Sequence, residues 1–95
     1  MAEEFITMAV DLNQQGKKVG LRISIKNNFA VFSFTDPNLA LKWYDKDKKN
    51  SGKDGVKVHY NRKINCVIYE YNNKSKEQIQ AILVEEMNKA GVKWN

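Results

Sequence analysis

Hydrophobic and polar residues alternate along the first third of the chain, which is the period-two pattern of β-strands. Residues 6–12 and 19–25 each place an apolar side chain at every second position. Gln15-Gly16 between them predicts a two-residue hairpin turn, because glycine accepts the positive φ that such turns require. The resulting register gives every apolar residue an apolar partner: Leu12 with Val19, Val10 with Leu21, Met8 with Ile23, and Ile6 with Ile25.

Asn27-Asn28 predicts a second hairpin, because asparagine tolerates the left-handed conformation of a type I′ turn. On the apolar side this turn pairs Ile25 with Ala30, Ile23 with Phe32, and Leu21 with Phe34. The opposite side then carries Phe29 beside Lys26, followed along the same strand by Arg22 and Lys18. The pattern therefore predicts three antiparallel strands with one apolar and one basic face.

The segment that follows permits two interpretations. Asp36 as N-cap, Pro37 at the first helical position and Gly52 beyond the end favour a short helix starting at residue 37. The competing interpretation is a strand, because apolar residues also alternate over 39–43. We favour the helix on the strength of its start signal, and we expect residues 45–55, which are rich in lysine, aspartate and glycine, to form a solvated loop.

A third hairpin is predicted from the alternation over 56–60 and the apolar run "INCVIYEY" at 64–71. A three-residue connection over 61–63 would pair Tyr60 with Ile64, Val58 with Cys66, and Val56 with Ile68. Lys63 is a poor residue for the positive φ that such connections often need. This register therefore has less support than the first two.

The last third of the chain predicts a helix that begins at a capping box formed by Ser75 and Gln78. Its apolar stripe ends before Gly91, and Trp94 is expected at an edge of the core. The whole chain of 95 residues is thus predicted to be one α+β domain, 1–95. We expect a mostly antiparallel sheet of about five strands in the order β-β-β-α-β-β-α, with the C-terminal helix on one face.

Charge is concentrated in the middle of the chain. The net charge is +5 with a pI of about 9.4, and residues 17–63 carry twelve Lys/Arg against four Asp. Such an excess favours polyanionic partners. No apolar run is long enough to cross a bilayer, no secretory signal is evident, and the single Cys66 cannot form an internal disulfide. We therefore expect a cytoplasmic protein without a membrane partner.

Catalytic groups are sparse. His59 is the only histidine, and the predicted register places it on the opposite face from Cys66, so a nucleophile–base pair is not expected. Asp45 and Asp47 lack the remaining ligands of a calcium loop, and no zinc or phosphate-loop pattern is present. The sequence thus predicts no enzyme activity, no metal and no cofactor, and only a minor alternative remains, a small basic ribonuclease using His59.

The predicted function is the binding of nucleic acid, DNA or RNA with single strands favoured, on a basic sheet face that carries aromatic rings. The alternative is a regulatory module that docks on an acidic protein surface, and the strand edges also permit a homodimer. A core role for the aromatic residues, including Tyr71, stays open at this point. The candidate nucleic-acid-binding residues are Lys18, Arg22, Lys26, Phe29, Lys46, Lys48, Lys49, Lys53, Lys57, His59, Arg62, Lys63 and Tyr69.

Overall fold

The computed structural model describes residues 5–14, 17–52, 55–89 and 93–94. The elements in chain order are β1 (Ile6–Gln14), β2 (Lys17–Lys26), β3 (Phe29–Phe34), α1 (Pro37–Asp47), a 3₁₀ turn (Lys48–Asn50), β4 (Lys57–Asn61), β5 (Cys66–Glu70), α2 (Lys76–Lys89) and β6 (Lys93–Trp94). The strands form one antiparallel sheet in the spatial order β4-β5-β3-β2-β1-β6. The predicted α+β class and element order are confirmed, with the short β6 added at the edge beside Val10.

The first two hairpins have the predicted registers. Ile6 pairs with Ile25 and Leu12 with Val19 between β1 and β2, while Ile23 pairs with Phe32 between β2 and β3. In the second turn Asn28 has a φ of 71°, the left-handed conformation for which asparagine was expected there. The first turn, Gln15-Gly16, lies outside the described residues.

The turn between β2 and β3 also holds the segment that leads into α2. The Asn28 backbone N–H donates to the Lys74 carbonyl oxygen at 2.9 Å, and the Asn28 Oδ1 accepts from the Lys74 N–H at 3.0 Å. The Tyr71 N–H donates to the Asn28 carbonyl oxygen at 2.6 Å, and the Lys76 N–H donates to Asn27 Oδ1 at 3.0 Å. Two consecutive asparagines thus connect a local hairpin to residues more than forty positions further along the chain.

Both helices pack on the same face of the sheet. Helix α1 contacts β3, β4 and β5, and helix α2 contacts β2 and β3. Ile23, Ile25, Ala30 and Val67 of the sheet are completely buried, as is Ile79 of α2. The buried core therefore lies between the helices and this face, which we call the core face.

Helix α1 begins as predicted and extends further than predicted. The Asp36 side chain accepts a hydrogen bond from the Asn38 N–H at 2.9 Å, and Pro37 occupies the first turn, so the alternative strand is wrong. The helix continues to Asp47 and is followed by the 3₁₀ turn. Residues 45–50 are therefore helical rather than an open loop, because the lysines there suit the C-terminal end of a helix, where their charge complements the helix dipole.

The third hairpin has a different register from the predicted one. Val58 pairs with Tyr69 and Tyr60 with Val67, across a four-residue turn at 62–65 in which Asn65 has a φ of 54°. Asparagine accepts this conformation far more readily than lysine, so the strand resumes at Cys66, after Asn65, and not at Ile64, after Lys63. The register moves by three residues, an odd number, which exchanges the two faces of β5.

This register corrects the sequence-based placement of several residues in the third hairpin. Cys66 and Ile68 lie on the side of the sheet opposite the core, with His59 on the same side as Cys66, whereas Tyr69 belongs to the core face. Ile64, expected in the core, lies in the turn and is 58% exposed. Val67 takes the core position and is fully buried.

Helix α2 begins at the predicted capping box. The Gln78 N–H donates to Ser75 Oγ at 3.2 Å, and the Ser75 N–H donates to Gln78 Oε1 at 2.9 Å. Ile79, Leu83 and Met87 form its buried stripe. The predicted end of this helix at Gly91 lies outside the described residues.

Substituting Ser75→Ala is expected to lower the free energy of unfolding by about 1 kcal/mol, because an N–H at the start of α2 loses its acceptor. Urea denaturation monitored by circular dichroism measures this change. Ser24→Ala is the matched control, since the Ser24 hydroxyl makes no hydrogen bond within the described residues. Equal losses in the two variants would contradict a specific contribution from the cap.

Candidate nucleic-acid interface

Neither described helix covers the second face of the sheet, which we call the open face. Strand alternation and the observed registers bring its side chains into three parallel rows that cross the strands. The first row, from β4 to β2, is Lys57, Glu70, Phe29 and Lys26; the middle row, from β4 to β1, is His59, Ile68, Val31, Ser24 and Thr7; the third is Asn61, Cys66, Ser33, Arg22 and Ala9.

The first row places an aromatic ring beside a cation. The Lys26 Nζ lies 5.0 Å from the centroid of the Phe29 ring, a cation–π contact. Phe5 precedes β1 and is 55% exposed. It is one residue before Ile6, which pairs with Ile25, and an extension of the β1–β2 register by one residue would bring Phe5 opposite Lys26. The alternation that identified Phe29 also predicts an outward-facing Phe5, but the candidate residues did not include it.

Glu70 is the acid of the first row and reduces the positive charge around it. It pairs across the sheet with both Phe29 and Lys57, and its Oε1 lies 3.1 Å from the Nε2 of His59. Both side chains of this contact are substantially exposed, at 50% for His59 and 40% for Glu70. His59 is therefore on the open face as predicted, with a carboxylate partner that the sequence did not indicate.

A second group of cations lies at the opposite end of the open face. Arg22 is exposed in the third row, between Ala9 and Ser33. Arg62 and Lys63 are exposed in the turn between β4 and β5, next to the Cys66 end of the same row. These three residues and the pair Lys26 and Lys57 therefore flank an aliphatic centre formed by Val31 and Ile68.

The lysines of the expected loop lie elsewhere. Lys46 is in the last turn of α1, and Lys48 and Lys49 are in the 3₁₀ turn, on the side of the sheet that the helices cover. Lys48 Nζ is 2.9 Å from Asp45 Oδ1, and this hydrogen bond and charge raise the pKa of Lys48. Lys46, Lys48 and Lys49 therefore do not extend the open face, because the helix carries them to the opposite side.

Tyr69 of β5 and Tyr71, which follows that strand, are also absent from the open face. Tyr69, a predicted binding residue, is 8% exposed in the core, where its ring meets Phe32 edge-on at 5.0 Å between centroids. Tyr71 is 9% exposed. The odd-numbered register shift accounts for both positions. Of the remaining candidates, Lys53 lies outside the described residues, and Lys18 occupies β2 opposite Asn13.

Within the described ranges, no group of three or more His, Cys, Asp or Glu residues is placed to hold a metal ion. Neither described helix combines the length and hydropathy needed to span a bilayer. Comparison with known proteins gives no matching family model, no matching curated protein and no matching solved structure. The surfaces of the chain itself are therefore the basis for proposing a function.

Proposed function

We propose that the protein binds single-stranded nucleic acid on the open face, without catalysing a reaction. The observation that carries this proposal is the first row, where Phe29 lies beside Lys26 on a sheet face that the helices leave uncovered. A base that stacks on an aromatic side chain contributes about 1–3 kcal/mol, whatever its identity. Sheet faces that combine such rings with cations are a recurrent surface for single strands.

The cations are spaced to follow a sugar–phosphate backbone. Lys26 and Lys57 are separated by the two intervening strands β3 and β5, so their backbones lie about 14 Å apart at about 4.8 Å per strand. Arg22, Arg62 and Lys63 provide further phosphate contacts at the other end of the face. A base stacking on Phe29 would displace the Lys26 ammonium from the ring, and that ammonium would then pair with a phosphate.

Salt dependence tests this proposal directly. Each neutralised phosphate of a single strand contributes about −0.7 to the slope of log K against log salt, so three to five contacts predict a slope of about −2 to −3.5. Fluorescence anisotropy with a labelled oligothymidine at several salt concentrations measures it. A duplex of equal length should bind more weakly, because its bases are not free to stack. Absence of binding at about 50 mM salt, or tighter binding to the duplex, would reject the proposal.

Removal of the Phe29 ring should weaken oligonucleotide binding without changing the salt slope. We expect Phe29→Ala to reduce affinity by about 5- to 150-fold, the loss of one stacked base. Leu41→Ala is the matched control, because Leu41 is 46% exposed on α1, away from the open face. Equal affinity of the Phe29 variant and the native protein would show that no base stacks there.

One observation favours a second function, the docking of an acidic protein partner on the same face. The centre of the face consists of Val31 and Ile68, with the exposed Ile64 in the adjacent turn. Aliphatic side chains do not stack with bases but are suited to a protein contact with a charged rim. This candidate predicts a partner that stays bound after nuclease treatment and is lost on Val31→Asp.

A further inference from the structure

A cleft of about 810 Å³ opens on the side of the molecule opposite the open face. It lies between α1 and α2 and reaches down to the core face of β3 and β5. Its volume is within the range of small-molecule sites, about 300–1,000 Å³. The lining of the cleft includes Trp43, Asp47, Tyr69, Tyr71 and Glu86.

The Asp47 carboxylate is held in position at this cleft. The Tyr69 hydroxyl donates a hydrogen bond to Asp47 and accepts one from the Trp43 indole N–H at 2.9 Å. Tyr69 therefore has its proton committed, and burial followed by this bond raises its pKa far above the usual value. Asp47 is half-buried at the C-terminal end of α1, where the helix dipole adds negative potential. A cation at this position would interact with both the carboxylate and the negative end of the helix dipole.

Tyr71 adds a second polar group to the lining of the cleft. The residue is 9% exposed and lines the cleft, yet its hydroxyl makes no hydrogen bond within the described residues. Burial, together with the smaller effects of the charges on Glu86 and Asp47, raises the pKa of Tyr71 to about 12. Both carboxylates therefore lie close enough to Tyr71 to act on its charge, and all three residues line the cleft. Among the described residues no enclosed side-chain oxygen or nitrogen lacks a partner, so this hydroxyl is open to the cleft and is free to accept a hydrogen bond from a molecule bound there.

The lysines that line the cleft are more exposed than its Asp47 and Tyr71. Lys46 and Lys74 line it, but both are exposed, and their long side chains allow the ammonium groups to extend into water. Asp47 and Tyr71 are the less exposed polar groups, and they offer hydrogen-bond acceptors. Around them are the apolar side chains of Trp43 and Met87. The interior thus combines acceptors with aromatic and aliphatic walls.

We propose that this cleft binds a small amphipathic amine, with an aromatic or aliphatic body and one protonated amino group. The ammonium group lies between Asp47 and Tyr71, where it donates to the carboxylate and to the hydroxyl oxygen. The body lies against the Trp43 ring, which also favours a neighbouring cation. This site is separate from the open face and does not depend on nucleic-acid binding.

The first test compares two probes of similar size, 2-phenylethylamine and 3-phenylpropanoate, by isothermal titration calorimetry and by amide chemical shifts of the full chain. We expect the amine to bind at least about tenfold more tightly than the carboxylate. This ratio of affinities corresponds to the free energy of one charge-assisted hydrogen bond. Its shifts should map to residues around Tyr71. Absence of amine binding, equal or tighter binding of the carboxylate, or shifts confined to other surfaces would overturn the proposal.

The second test uses substitutions that preserve shape. Asp47→Asn removes the charge and retains an oxygen to accept from Tyr69, and it should weaken amine binding by at least about tenfold. Tyr71→Phe removes only the unpartnered hydroxyl and should weaken binding about fivefold. Glu85→Gln is the matched control, because Glu85 faces Lys89 on the exposed side of α2. Unchanged amine affinity in both cleft variants, or an equal loss in the control, would contradict the assignment.

Discussion

Reversal of both charges in the double variant Arg22→Glu and Lys26→Glu is expected to weaken binding of a single-stranded oligonucleotide by about 70-fold at about 50 mM salt. Each phosphate contact with a single strand changes log K by about 0.7 for each tenfold change in salt. At about 50 mM salt, one contact therefore raises the binding constant about eightfold relative to about 1 M salt. The loss of two contacts, at opposite ends of the open face, multiplies these two factors. Fluorescence anisotropy titration of the two proteins measures the ratio.

The decisive control moves the same amount of charge to the other side of the molecule. Lys42 and Lys49 are exposed on α1 and the 3₁₀ turn, so Lys42→Glu with Lys49→Glu gives an identical change in net charge away from the open face. If the open face is the binding surface, the control variant should lose little affinity and keep the native salt slope. Equal losses in the two double variants would mean that the overall field of a basic protein, and not a defined surface, attracts the polyanion.

Substituting Phe32→Ala is expected to lower the free energy of unfolding by about 3–5 kcal/mol. Phe32 is 2% exposed in the middle of the sheet, and its ring lies 6.1 Å from Trp43 and 5.0 Å from Tyr69 between centroids. Its removal leaves a cavity where a helix and two strands meet. Since a domain of this size has about 5–15 kcal/mol of stability in total, urea denaturation should show a large shift of the midpoint.

Phe29, three residues earlier on the same strand, gives the comparison. Phe29→Ala removes the same side chain from the open face, where Phe29 is only partly buried, so we expect a smaller loss of stability than for Phe32. We therefore expect substitution of Phe32 to lower mainly the stability of the fold, and substitution of Phe29 to lower mainly the affinity for an oligonucleotide. A loss from Phe29→Ala as large as that from Phe32→Ala would contradict the assignment of the two faces.

The first three strands could be predicted from sequence because two independent signals agree there. Period-two alternation defines one apolar face, and the Asn27-Asn28 turn sets the same register as the apolar pairing. The two helix starts were equally predictable, since Asp36 and the Ser75–Gln78 box are local signals that need no tertiary contact. These elements place Arg22, Lys26 and Phe29 on the open face.

The third hairpin could not be predicted in the same way. In "INCVIYEY" both sets of alternate positions contain apolar residues, so the pattern does not distinguish the face of Cys66 and Ile68 from the face of Val67 and Tyr69. Only the turn determines the register, and the positive φ occurs at Asn65. The positions of Tyr69 and of the cleft depend on this one turn and on how far α1 extends, neither of which the hydrophobic pattern specifies.

The paired asparagines of the turn between β2 and β3 lie between the open face and the cleft. They follow directly after Lys26 and precede Phe29 on the open face, and Asn28 is hydrogen-bonded to the backbone of Lys74 and Tyr71, which line the cleft. One hydrogen-bonded turn thus borders both proposed sites. If an amine in the cleft changes the affinity of the open face for an oligonucleotide, a bound oligonucleotide must change the affinity of the cleft for the amine by the same factor. This follows because thermodynamic coupling between two sites is reciprocal.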